Sequence, residues 1–328
     1  MSTSDHTWLR EALQAKGVDV GTLQVSDEIQ TEEIRFRSET DSRCVDVLLS
    51  SRMIAADPTY RHVMENRIRH FIHLGGGYIS DYARTEPCSL IFNMADGGGA
   101  GALSFDRPAG TDWPLFPDLY LLTAASERNG GEASHLAFAD REPILFWRGT
   151  TTGGVYGSRD ELFASHRVTS CLRLRDTMGE RADCKISRVA QLAGYADRDA
   201  IEDLTQARVF GEQVSEARFA DYQMYLDLPG NTAAWGTCFK YLAGCLVLRP
   251  PCARELCYSH LMLPWEHYIP VAPDMSDVAE RVSWVLATPN DAAMIAERGQ
   301  QLLRTFVETL PDFVKGVFDT NNEAVLVR

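Results

Sequence analysis

The chain has 328 residues, 45% of them hydrophobic, and a formal net charge of −14. That length and apolar content accommodate two domains with sizeable cores and exclude a disordered chain. The acidic balance excludes a general nucleic-acid binder, which needs a basic face, but not a small anionic ligand held where a few basic groups converge.

The first residues, MSTSDHTWLREALQAKG, have neither the basic start nor the apolar stretch of a signal peptide. No apolar run approaches bilayer length. A cytoplasmic protein is the expectation. Residues 7–16 read as a short amphipathic helix, and Glu33 to Arg37 and Val45 to Ser50 as strands. Pro58 opens a helix carrying Tyr60, Val63, Ile68, Phe71 and Ile72, and Gly75 to Gly77 read as its C-terminal cap rather than a phosphate cradle, the alternative, because they follow a helix and not a strand. The run CSLIFNMADGGG, Cys88 to Gly99, gives a buried strand with Asp96 just past its C-terminal end. In open α/β sheets working groups sit outside those ends. An aspartate before glycine is also a common turn residue, so both readings stand. Trp113, Phe116, Pro117 and Tyr120 form an aromatic, proline-punctuated loop. Its rings suit either stacking on a sugar or acceptor, or packing of the domain. The composition of Ala125 to Ser134 suggests a linker or exposed loop.

The second half opens with the strand PILFW and the loop RGTTTGG, Arg148 to Gly154. One guanidinium, three hydroxyls and several glycines suit phosphate oxygens, although a polar surface loop has the same composition. No G-K-[ST] follows, so it is not a P-loop. Ser158 to Gly179 reads as helical, and Ala182 to Leu192 as a strand and turn. Charged helical turns over 198–220 lead to the strand Tyr222 to Leu228. From Leu228 to Val278 the chain reads as turn, helix, buried strand, helix, short strand and helix. The loop Gly230, Asn231, Thr232 enters a helix with Trp235, Phe239 and Leu242, then the strand CLVL. Unpaired N–H groups at such a helix start suit a diphosphate, although many such units bind nothing. Two amphipathic helices complete the chain. Eight cysteines lack C-x-x-C spacing and read as buried free thiols, with zinc ligation or a disulfide framework as the alternative.

The stretch Gly230–Asn231, Trp235, Phe239–Lys240, Pro264–Trp265, His267 to Val271 and Asp274 to Val278 resembles the signature of glycosyltransferase family 90, the capsule-associated and protein O-glucosyltransferase-like family. Arg148–Gly149–Thr150 and Ile295 to Gly299 are similar to further motifs of that family, and the lack of a leader suggests a bacterial-type member. The resemblance implies an α/β, GT-B-like fold with two Rossmann-like domains facing across a cleft. Residues 1–138 are expected to carry the acceptor side and 139–304 the nucleotide-sugar side, with 305–328 returning to the first domain. It implies an inverting, metal-independent transfer of a hexose or pentose from a UDP-sugar to a glycan or protein hydroxyl. The UDP-sugar is then a co-substrate, and no cofactor is expected. For a bacterial-type protein the acceptor suggested is a surface polysaccharide or lipopolysaccharide, with peripheral membrane contact compatible through that acceptor.

Site roles follow from the same resemblance. Asp96 is the expected general base. The expected donor-binding residues are Arg148, Gly149, Thr150, Thr151, Ser187, Arg188, Gly230, Asn231, Thr232, Trp235 and Lys240, although a lysine in an F-K-Y-L helix equally suits a snorkelling role. Trp113 and Phe116 are the acceptor-side candidates. His267 suits a structural or ribose-side hydrogen bond, and Glu255 and Glu266 suit ribose hydroxyls. No D-x-D pair is placed to hold a metal, and no metal site is expected. The chain departs from the family pattern at Gly97 to Gly99, at Pro229 where an acidic residue is usual, and at Thr237–Cys238 where eukaryotic relatives carry an arginine. The departures at Pro229 and Cys238 support an alternative, a catalytically inert sugar-nucleotide or glycan binder, which Asp96 and the Arg148 loop oppose; Gly97 to Gly99 bear on the acceptor-side contacts. A Rossmann dehydrogenase is excluded because no G-x-G-x-x-G follows an early strand.

Overall fold

A computed structural model describes residues 6–39, 44–55, 58–85, 89–98, 102–121, 123 and 136–324. The expected linker at 125–134, Cys88 and Gly99 lie outside the described residues. The chain divides into two compact α/β units, one of Met1–Leu119 with Thr309–Arg328 and one of Tyr120–Glu308.

In the first unit, strands β1 (Asp19–Ser26), β2 (Glu33–Arg37), β3 (Cys44–Ser50), β4 (Ser89–Asn93) and β5 (Leu103–Ser104) form a sheet in the order β1-β3-β2-β4-β5. Only β2 opposes its neighbours; β1 is parallel to β3, and β4 to β5. β1 is a strand that hydrophobic patterning missed, because most of it is exposed. Alternation in the two strands beside it buries Ile34 and Phe36, and Val45, Val47 and Leu49. Against them pack Phe71, Phe92, Phe105 and Phe116, with the Phe71 and Phe92 ring centroids 4.3 Å apart.

The helix Pro58–Thr85 does not stop at its glycines. A Cβ on Gly75 would lie 3.0 Å from the Phe318 ring, and one on Gly76 2.8 Å from the Lys16 side chain. These glycines admit close neighbours rather than ending the helix. Phe318 belongs to the helix Leu310–Ala324, and its ring stacks on Tyr78 at 5.2 Å.

The second unit is built on a parallel sheet ordered β12-β10-β9-β7-β8. Its strands are β7 (Glu142–Thr150), β8 (Ala182–Arg188), β9 (Tyr222–Leu226), β10 (Leu246–Arg249) and β12 (Ile269–Pro270). The continuous apolar runs Leu145 to Trp147 and Cys245 to Leu248 are buried, as strands covered on both faces require. Helix His166–Met178 packs on β8, and helix Pro289–Glu308 on β10 and on helix Thr237–Leu242. The helix expected after CLVL is absent: Arg254–Glu255 is a two-residue strand, β11, followed by a short 3-10 turn, Ser259–Leu261. Of the seven described cysteines, all free, five are buried, while Cys44 is exposed and Cys252 partly so.

Candidate active site

Because all five strands of the second sheet run the same way, the loops after β7, β8 and β9 gather at one edge. The β7 loop is shaped from within. A Cβ on Gly149 would lie 2.4 Å from the Trp147 indole, so only glycine lets the buried tryptophan fold beside the strand. A register shift between Gly149 and Thr150 bends the strand end outward. Thr150 Oγ1 then donates to Thr152 Oγ1 at 3.3 Å. In the β9 loop, the Gly230 N–H closes a tight turn on the Thr232 carbonyl at 2.9 Å. Asn231 Oδ1 accepts from the Gly153 N–H at 2.9 Å, tying the two loops together.

The residue that joins them most fully was not among the sequence candidates. The guanidinium of Arg167, at the start of helix His166–Met178, donates to the carbonyls of Thr150, Leu228 and Pro229 and to Thr152 Oγ1, at 2.7–3.0 Å. A Cβ on Gly230 would lie 2.6 Å from Thr152 Oγ1 and 2.9 Å from this guanidinium, so glycine is required where the loops meet. A sequence signal was there: a cation in the first turn of a helix opposes the macrodipole and needs a compensating reason.

Several expected donor ligands are engaged elsewhere. Arg148 points back along the sheet, donating to Asp183 Oδ2 at 2.6 Å and to the Asp183 carbonyl at 2.7 Å, over the Phe146 ring. Burial opposes the Asp183 charge, but Arg148 and Lys185 outweigh it and hold the carboxyl below its usual range. Thr151 is fully buried, and its hydroxyl exchanges hydrogen bonds with the backbone of Ala190. Ser187 Oγ donates to the Gly149 carbonyl at 3.3 Å. Lys240 is buried against Glu216, with its ammonium 4.0 Å from the Phe219 ring centroid. It completes a core cage and does not present its charge to a ligand. Arg188, by contrast, is exposed at the C-terminal end of β8. Trp235 is buried in the turn before helix Thr237–Leu242, and the Thr232 hydroxyl is buried without a hydrogen-bond partner among the described residues.

Below this edge, Asp227 pairs with Arg249 at 3.5 Å and accepts from Thr237 Oγ1 at 2.8 Å. Burial nonetheless raises its pKa. His267 Nδ1 accepts from the Leu263 N–H at 3.0 Å, a structural role that fixes the turn before β12.

In the first unit, Asp96 occupies the turn after β4. Its Oδ1 lies 2.6 Å from Arg67 Nη2, and Arg67 also donates to the Met94 carbonyl. Arg67 comes from the long helix and is buried. Gly97 and Gly98 take positive φ values of 106° and 52°. A Cβ on Gly98 would strike Ser104 Oγ at 2.7 Å, so the glycines serve the turn that presents Asp96. The acceptor-side candidates separate. Phe116 is fully buried among Phe71, Phe92 and His70, a core residue unable to stack on a ligand. Trp113 is half-buried, its carbonyl accepting from Arg107 at 2.9 Å.

The sequence model of glycosyl transferase family 90 matches residues 124–314. That is more than half of the chain, and the protein belongs to this family. Human protein O-glucosyltransferase 3 is 28% identical over 90 residues, which cover 27% of this chain and 18% of that protein. Human protein O-glucosyltransferase 1 is 35% identical over 88 residues, covering 26% and 22%. The matching segments thus span about a fifth of those relatives' length. Among solved structures, a UDP-forming α,α-trehalose-phosphate synthase from Burkholderia vietnamiensis aligns with a TM-score of 0.36 at 15% identity, covering 66% of this chain and 54% of that one.

Proposed function

We propose that this chain is an inverting, metal-independent glycosyltransferase. It moves a hexose or pentose from a UDP-sugar to a hydroxyl of a glycan, such as a cytoplasmic surface-polysaccharide or lipopolysaccharide intermediate, or of a protein. The observation that carries the reading is the family match over residues 124–314, the part of the chain that holds the parallel sheet and its loops. The acceptor oxygen attacks the anomeric carbon from the face opposite the leaving group. Its proton passes to Asp96, while the bond to UDP breaks and its electron pair stays on the β-phosphate oxygen. Charge growing on that phosphate is met by the loop Gly230 to Thr232, the hydroxyl of Thr150 and the exposed Arg188. Trp235 forms a wall of this donor site.

A nucleotide-sugar screen tests this, following UDP release and transfer with Asp96→Asn as control. Loss of a general base costs roughly 10²–10⁴ in rate. Full turnover by Asp96→Asn removes Asp96 from the role. One observation favours a second reading, an inert sugar-nucleotide binder: Arg148 and Lys240, two expected cations, are spent on Asp183 and Glu216. UDP binding without turnover on any acceptor would select it.

A further inference from the structure

We infer that Arg167 is the positioning residue of the proposed donor site, serving both as the clamp between its two loops and as the fixed positive charge beneath them. The inference rests on the reading that these loops hold a nucleoside diphosphate.

A guanidinium has five N–H donors in a rigid planar fork. Arg167 uses that fork on oxygens of Thr150 and Thr152 in one loop and of Leu228 and Pro229 in the other. Neither Pro229, which has no N–H, nor Gly230, whose N–H goes to Thr232, donates across to the other loop. The guanidinium, with the Gly153–Asn231 bond beside it, sets the spacing of the loops.

All four acceptors are neutral, and no described carboxylate lies within ion-pair distance of Arg167. Asp227 does act on it through space, but that carboxylate is committed to Arg249 and Thr237. Burial pushes the Arg167 pKa below the ordinary arginine value, the mark of a charge not fully compensated. The positive end of its own helix adds to the same potential. Two other half-buried arginines in this unit, Arg148 and Arg249, are matched to carboxylates, Asp183 and Asp227. An anion at the loops is what would complete the balance at Arg167.

Calorimetric binding of UDP and of uridine to wild type, Arg167→Lys and Arg167→Met tests this, with circular dichroism to confirm folding. Arg167→Met should bind UDP at least 30-fold more weakly, and Arg167→Lys should fall between it and wild type. Uridine, which lacks the phosphates, should change less than threefold. Equal UDP affinity in wild type and Arg167→Met would overturn the inference, as would equal losses for UDP and uridine, which indicate collapse of the site. Wild-type protein that fails to bind UDP would instead overturn the reading of the site itself. Should Arg167→Met not fold, Arg167→Lys alone decides: unchanged UDP affinity overturns the clamp, and a selective loss of UDP supports it.

Discussion

Arg148 and Asp183 form a bond across neighbouring strands, 2.6 Å between Nη2 and Oδ2, that turns the arginine of the R-G-T motif away from its own loop. The motif arginine is thus a structural strut of the β7–β8 pair. Replacing it with methionine leaves Asp183 partly buried without its main partner. The expected cost is about 2–4 kcal/mol of stability, toward the lower end of the range for breaking a buried pair because Asp183 retains Lys185. Urea denaturation measures it. UDP affinity of the folded fraction should stay within a few-fold of wild type, and a large selective loss of affinity would return Arg148 to the list of ligands.

Gly230 sits where a single methyl group would press on both Thr152 and Arg167. Gly230→Ala should raise the donor KM about tenfold, by shifting the loops, while costing only about 1–2 kcal/mol in stability. Donor saturation curves beside thermal melts separate the two effects. An unchanged KM would mean that the loops give way without consequence.

His70 is buried under the aromatic core of the first unit, and its Nε2 donates to the Pro117 carbonyl at 2.8 Å. Burial lowers its pKa from 6.5 to about 4. The unfolded chain therefore takes up the proton first as pH falls. Stability is fully present above pH 6.5 and is lost as the pH falls from there to about 4, by up to about 3 kcal/mol. His70→Gln keeps an N–H donor and cannot titrate. Its unfolding free energy, measured by urea from pH 7 to 4.5, should fall less steeply than that of wild type. Parallel curves would remove His70 as the source.

Transfer without a metal predicts that excess EDTA leaves the initial rate unchanged and that added Mg²⁺ or Mn²⁺ does not raise it. A rate abolished by EDTA and restored by one of these ions would contradict the mechanism. Then a divalent ion, and not Arg188 and the loop N–H groups, would carry the charge of the leaving diphosphate.

Strands with a clean alternation or a continuous apolar run were legible in the sequence: Glu33 to Arg37, the run ending at Asn93, and the strands at Trp147 and Leu248. β1 was not, because its exposed residues carry no pattern. Gly75 to Gly77 misled because a glycine that ends a helix and one that admits a neighbour look alike until the neighbour is known. The motif residues lie on and beside the loops after β7, β8 and β9, but sequence does not tell which way a side chain points. Arg148, Thr151 and Lys240 all turn to partners distant in sequence: Asp183, Ala190 and Glu216. Arg167 escaped notice for the converse reason, since three of its four acceptors are backbone oxygens, and these leave no mark in composition.

The glycines inside helix Pro58–Thr85 bear on the order in which the protein can mature during synthesis. Each glycine in a helix interior costs about 1 kcal/mol relative to alanine, and three stand in succession. Gly75 is compensated by the Phe318 ring, and Tyr78 stacks on the same ring one turn later. On the ribosome that ring is added only after the whole of Tyr120–Glu308 has been synthesised. The first unit therefore waits, with its longest helix weakest at its middle, while the second is free to fold ahead of it. In this chain the N-terminal half is the last to be finished.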